Sequence, residues 1–291
     1  MSWRVVAISN RAKLDLKLNN LVIRNDSDTK QIHLGEVATV IIESTAVSVT
    51  AALLCEMIER KIKVIFCDNK RNPCSELMPC YGSHDTSLKV RKQIEWIEFT
   101  KEQVWTEIVA DKITKQYQLL QALGCIEMEL LQQYLKELEH NDVSNREGHA
   151  AKVYFNALFG KNFSRSQDNV INAALNYGYS IILSAFNREI AANGYITQLG
   201  LFHDNMFNQF NLSCDLMEPF RPIVDHEVLS MDLITFEHEQ KLKLVNLLNQ
   251  EVLIDGRKQY LNNAIKIYCR SVFDALNGND VSKIRFIRNE L

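Results

Sequence analysis

Proline and glycine are scarce in this chain, 4 and 10 among 291 residues. Both punctuate turns and flexible connectors, so their scarcity argues against long linkers or disordered tails. The 7 cysteines, at 55, 67, 74, 80, 125, 214 and 269, include no C-x-x-C pair. A zinc site among Cys67, Cys74 and Cys80 fits no common knuckle spacing, and reduced thiols in a cytoplasm are the better expectation. No apolar run reaches the roughly eighteen residues that a membrane-spanning helix needs. The opening Met-Ser-Trp-Arg-Val-Val has no basic region followed by a long apolar run, so no signal peptide is expected. A basic excess is also missing. The 33 Lys and Arg are outnumbered by 36 Asp and Glu, for a net charge of −3. That argues against a generic nucleic-acid coat; DNA binding would need basic groups gathered on one face.

What is present is ordinary for a globular protein: 46% hydrophobic and 24% charged residues. A chain of this length buries enough apolar surface to fold without a disulfide or structural metal. The first eighty or so residues alternate with period two. Strand patterns fall at Trp3–Ile8, 14–18, 21–23, 31–34 and 39–42, and Lys63–Cys67 reads as a last strand. Ser48 is placed to cap a helix running to about Arg60, and 69–82 reads as an exposed loop. From Thr86 the period becomes 3.6. Helical patterns run through 86–98, 100–122, 126–139, 145–159, 167–193 and 238–277. Strands followed by helices, without alternation, predict an α+β chain. Its small N-terminal β-sheet domain would span 1–85 and its larger all-α C-terminal domain 86–291.

Three side chains are candidate metal ligands. Glu147 shares a helix side with Ala150, Ala151 and Tyr154, with Ser144 or Asn145 as the expected cap. A carboxylate facing inward needs a cation or strong donors. Periodicity alone favours an ion pair, or a first-turn glutamate suited to the helix dipole. His203 follows Gly200-Leu201-Phe202; taken alone it is a satisfied histidine in a loop or helix end. Glu218 stands three residues after Asp215, a capping-box-like spacing, with Pro219 and Pro222 near a helix start. Its neighbours Leu216, Met217 and Phe220 are apolar, whereas a capping glutamate is usually solvated. A histidine with two glutamates makes a hard nitrogen–oxygen site suited to Mg²⁺ or Mn²⁺ and to phosphodiester chemistry.

The string from Gly200 to Asp225, above all Asp215-Leu216-Met217-Glu218-Pro219-Phe220-Arg221-Pro222, closely resembles the metal-dependent integrase of CRISPR adaptation. Glu147-Gly148 and Asn172-Ala173-Ala174-Leu175-Asn176-Tyr177-Gly178-Tyr179 agree in order, and Phe207–Cys214 looks most like members from type II systems. The resemblance covers nearly the full length. It carries the family's metal ligands onto Glu147, His203 and Glu218, and reverses the reading that periodicity favours.

What the resemblance implies is a prokaryotic, cytoplasmic DNA endonuclease and integrase. It would insert prespacer DNA into the repeat array by 3′-hydroxyl transesterification at repeat ends, with Mg²⁺ or Mn²⁺ held by the catalytic triad. The implied partners are double-stranded prespacer and repeat DNA, and a second copy of the chain joined through a β-rich N-terminal dimerisation domain. A small ferredoxin-like adaptation subunit would complete a four-plus-two complex. A type II system would add a ring-forming accessory protein and an RNA-guided effector nuclease. Arg146 and Arg221 are candidate phosphate contacts, against the alternative of salt bridges to nearby acids. Tyr177 and Tyr179 are candidates to stack on or donate to DNA, with core tyrosine as the alternative. Two other classes stay open: a stand-alone metal nuclease on branched DNA, and a non-catalytic DNA-binding subunit.

Overall fold

The computed structural model describes residues 4–80 and 83–288. Its N-terminal third builds two four-stranded sheets. Strands β1 (Arg4–Ile8), β2 (Ala12–Lys17), β3 (Asn20–Arg24), β4 (Thr29–His33), β5 (Val37–Ile42) and β6 (Val47–Val49) precede helix α1 (Ala51–Glu59). Strands β7 (Lys63–Cys67) and β8 (Pro73–Leu77) follow it. One sheet has the order β4-β3-β2-β6 and the other β1-β5-β7-β8. In the second, β1, β5 and β7 run parallel, and β8 closes the edge antiparallel to β7.

Every residue of β5 is buried, which explains why Val37-Ala38-Thr39-Val40-Ile41-Ile42 reads as a nearly unbroken apolar run. Val40 and Val64 join a core with Leu14, Leu21, Leu53 and Met57, while Ile41 and Ile65 belong to the helical core on the other side. The β1-β5-β7-β8 sheet therefore serves two interiors at once.

Two local expectations need correction. Ser48 lies in β6; the helix begins at Ala51 after Thr50. The expected loop at 69–82 contains β8, whose Pro73 opens an edge strand where a missing N–H costs little. Its Cys-Ser-Glu composition gave no alternation to read. Tyr81 and Gly82 lie outside the described residues.

Helices dominate the remainder, in agreement with the expected β-then-α order. They are α2 (Thr86–Ile94), α3 (Glu98–Ala122), α4 (Met128–Lys136), α5 (Arg146–Phe159), α6 (Val170–Ala192), α7 (Asn211–Met217), α8 (Arg221–Ser230), α9 (His238–Asn246) and α10 (Leu261–Gly278). The inward stripe of α6 holds Ala174, Leu175, Ile182, Ala185 and Phe186. At Gly178 an added Cβ would collide with Val224, so the missing side chain lets α8 approach α6 closely.

The helical reading of 238–277 fails at its centre. Strands β9 (Glu251–Ile254) and β10 (Arg257–Tyr260) form a hairpin there, and β11 (Ile287–Arg288) adds to β9. The turn is Asp255-Gly256, with φ of 53° and 71°. Both residues tolerate the left-handed conformation that a tight hairpin requires, and Asp-Gly is a hairpin signal. Among the described residues no helix is long and apolar enough to cross a membrane.

A buried polar knot fastens α6 to the shared sheet. Lys63 and Glu76 form an ion pair, with the Lys63 side chain 2% exposed. Ser184 Oγ and Asn187 Nδ2 donate to the same carboxylate at 2.7 and 3.1 Å. Burial pulls the Lys63 pKa down although Glu76 pulls it up. Removing Glu76 would leave a lysine charge with no counter-ion in the interior. Glu76→Ala is expected to lower stability by about 3–5 kcal/mol, read from urea unfolding curves against the wild type.

Candidate active site

Glu147 is the second residue of α5. The expected caps do not act: Asn145 occupies the cap position at φ 53° without a side-chain bond. Asp142 caps instead, accepting from the N–H groups of Arg146 at 2.6 Å and Glu147 at 3.0 Å. Glu218 opens a single 3₁₀ turn between α7 and α8, with Pro219 and Pro222 in the first turns of their helices, where proline costs least. Leu216, Met217 and Phe220 are fully buried around it, and Glu218 itself is 5% exposed.

The two carboxylates meet at one ammonium. Lys112 of α3 donates Nζ to Glu147 Oε1 and, at 2.5 Å, to Glu218 Oε2. Arg221 Nε donates to the other Glu218 oxygen at 2.9 Å. Burial pushes the Glu218 carboxyl up, but Arg221 and Lys112 together outweigh it and hold its pKa at about 2. Burial alone would lower the Lys112 pKa; Glu218 and Glu147 reverse that and raise it. Glu218 is thus ionised and Lys112 charged.

Behind Arg221 lies a second layer. Its guanidinium rests 4.6 Å from the Tyr179 ring centre. The Tyr179 and Tyr154 hydroxyls both donate to buried Asp225. Burial raises the Asp225 carboxyl and these hydroxyls pull it back, leaving a pKa of about 6.

Asp215 proves to be no helix cap. It sits inside α7, 0% exposed, and its carboxylate faces the 200–203 segment. It accepts the backbone N–H groups of Leu201 at 2.6 Å, Phe202 at 3.1 Å and His203 at 3.2 Å, and lies 2.5 Å from His203 Nδ1. Gly200 makes this wrap possible: an added Cβ would strike the His203 carbonyl and the Asp215 carboxylate. From the other side, Gln93 brackets the approach to the turn, bonding Ile196 and Leu199. Phe202 stacks on Trp105 of α3 at 4.6 Å, and His203 meets the Trp105 edge at 5.9 Å. The Asp215 bond raises the His203 pKa against the effect of burial, and Glu218 is close enough to add to the rise. With Nδ1 committed to the Asp215 carboxyl group, Nε2 is the nitrogen left to act as a ligand.

Of the predicted residues, Glu147 and Glu218 converge on Lys112, and His203 stands beside Glu218 without a direct bond to either. Among the described residues, no three His, Cys, Asp or Glu side chains are gathered as a metal cluster. The donor chemistry nonetheless suits a hard dication: two carboxyl groups, an oriented imidazole and a cation already lodged between the carboxyl groups. Cys67 is buried while Cys74 and Cys80 are exposed, and no such cluster joins them.

The DNA-contact candidates fare differently. Tyr177 and Tyr179 are 3% and 7% exposed, so the structure corrects their reading as stacking surfaces to that of core tyrosines. Lys241 and Phe236 pack on the Tyr177 ring, and Arg165 and Arg221 on that of Tyr179. Arg146 pairs with Glu137 at 3.1 Å and lies over Tyr134. Arg221 is spent on Glu218. Both arginines take the salt-bridge alternative.

The residue that sequence reasoning missed is Lys112. Its signal was available: Val104, Trp105, Ile108, Val109, Ile113 and Leu120 mark one buried stripe of α3, and Lys112 falls on it. A lysine on an apolar stripe demands an anion.

This fold, a β-rich region fastened to a helical bundle, has solved counterparts. The chain superposes on a casposase bound to integration product with a TM-score of 0.76 and 18% identity, covering 97% of this chain and 94% of that one. It superposes on a Cas1 protein from Thermotoga maritima at 0.75 and 18%, covering 94% and 97%. A third match is a chain of a Cas6-RT-Cas1–Cas2 complex, at 0.74 and 16%, where 99% of this chain spans 36% of the longer one.

Residues 5–238 match the family described as CRISPR associated protein Cas1. The chain belongs to the Cas1 family. It is 36% identical over 233 residues to the CRISPR-associated endonuclease Cas1 of Neisseria meningitidis serogroup C (strain 8013), covering 79% of this chain and 76% of that protein. It is 27% identical over 278 residues to a CRISPR-associated endonuclease Cas1 of Francisella tularensis subsp. novicida (strain U112), covering 87% of each.

Proposed function

We propose that the protein is a divalent-metal-dependent DNA integrase and endonuclease of CRISPR adaptation. The observation that carries this reading is the convergence of Glu147 and Glu218 on one cation, beside an imidazole oriented by Asp215. Glu147, His203 and Glu218 would hold Mg²⁺ or Mn²⁺, which when bound supplies Lewis-acid stabilisation of a reacting phosphate. Arg221 keeps Glu218 ionised and aimed. Asp215 fixes the imidazole tautomer and ring direction, and Trp105 with Phe202 limits water on one flank of His203.

In the reaction, the 3′-hydroxyl oxygen of a captured DNA attacks a phosphorus at a repeat end. One P–O bond forms, one breaks, and the hydroxyl proton ends on the departing 3′-oxygen. Bond number is conserved, so no nucleotide triphosphate is consumed. Family membership supports this activity, as does the likeness to a casposase bound to integration product. A small Cas2-type partner is supported by the likeness to a chain of a Cas1–Cas2 complex. A homodimer joined through the N-terminal sheets completes the proposal.

The test is an integration assay with a supercoiled repeat-bearing plasmid, a 3′-hydroxyl prespacer duplex, the partner subunit and Mn²⁺. Wild type is expected to give joined product, and His203→Ala none, while its circular dichroism and duplex binding persist. Equal joining by His203→Ala would overturn the site. Cleavage of branched DNA without joining would point to a stand-alone nuclease instead.

A further inference from the structure

Lys112 is the feature that the proposed reaction does not use. Its ammonium is buried and bonds both carboxylates meant for a dication. Both glutamates already have counter-ions: Lys112 pairs with Glu147 and Glu218, and Arg221 with Glu218. A dication entering this pocket has to take carboxylate oxygens that an ammonium holds. It also adds two positive charges beside carboxylates that already have counter-ions, where uncompensated charge is costly. The compensating anion that the reaction itself brings is the DNA phosphate.

We propose that Lys112 is the site's resident cation, which competes with the dication for Glu147 and Glu218 and so makes tight metal loading depend on bound DNA phosphate. This inference rests on the metal-site reading above. Displaced from the carboxylates, the Lys112 ammonium becomes a donor for a phosphate oxygen, whose negative charge takes the place of theirs. Metal and DNA then favour one another reciprocally, as linkage requires. The alternative is a purely structural ion pair, which would stabilise the fold and leave metal affinity alone.

Free Mn²⁺ measured by electron paramagnetic resonance distinguishes the two without reference to activity. The titration uses the full chain, with and without a duplex whose 3′ ends are dideoxy, after subtraction of binding to DNA alone. Wild type is expected to bind Mn²⁺ at least about tenfold more tightly with the duplex present. In Lys112→Gln, affinity without DNA is expected to rise about tenfold, with most of the DNA dependence gone. Equal or weaker Mn²⁺ binding by a folded Lys112→Gln protein overturns the proposal. Should that variant not fold, the wild-type titrations decide: affinity unchanged by the duplex overturns it, and a duplex-dependent gain supports it. If Mn²⁺ binds neither protein, even with DNA, the metal-site reading falls and takes this inference with it. If Mn²⁺ binds but ignores Lys112, only this inference falls.

Discussion

Glu218→Gln is expected to abolish strand joining and to lower stability at neutral pH by about 3–5 kcal/mol, because it leaves Arg221 and Lys112 short of an anion. The stability loss carries a pH signature. The ordinary glutamate value is 4.5, and in the fold Glu218 sits at about 2. A carboxyl whose pKa is depressed on folding stabilises the native state above its ordinary value, and that contribution fades as the pH falls toward the depressed one. The gap corresponds to about 3 kcal/mol. The difference in stability between wild type and Glu218→Gln is therefore expected to be full at pH 7 and to narrow below pH 4.5. Urea unfolding of both proteins at pH 7 and pH 3 checks this. A difference that stays constant would mean that Glu218 is not held as an anion by its neighbours.

Asp215→Asn is expected to cost both stability and chemistry. The carboxylate accepts three backbone N–H groups and faces the His203 ring. An amide has one oxygen to share among them and turns an N–H₂ toward donors. Buried unsatisfied groups of this kind cost about 1–3 kcal/mol each. The turn that carries His203 would loosen, and the imidazole would lose the partner that fixes its tautomer. Joining activity, or Mn²⁺ affinity, is expected to fall by about 10–100-fold, the usual cost of losing such a supporting bond. Thermal unfolding and the integration assay, run side by side, read the two effects. Unchanged activity in a destabilised Asp215→Asn protein would reduce Asp215 to a turn-holder.

Asp215 also shows where a sequence misleads. Its spacing to Glu218 matches a capping box, and nothing along the string tells a carboxylate facing its own helix start from one facing a loop twelve residues earlier. The same string still carried Glu218, because apolar neighbours around a carboxylate are a burial signal that survives without coordinates. Glu147 was legible from its helix side, and the structure gives it the ion pair that periodicity favoured. Its partner was hidden in α3, a helix whose long inward face mixes Lys112, Lys115 and Gln116 with apolar residues. The change of period near Thr86 located the switch from strands to helices. The hairpin at Asp255-Gly256 was missed because the four-residue strands beside it are too short to break a helical pattern, although the dipeptide itself was a sufficient warning.

The sheet order β1-β5-β7-β8 has a consequence for the chain as a whole. Ile41 and Ile65 are part of the helical interior, while Val40 and Val64, next to them in sequence, close the other one. Neither half owns all the walls of its own room. A cut near residue 85, where composition invites it, would strip the helical bundle of a supporting panel and leave raw oily surface on both fragments.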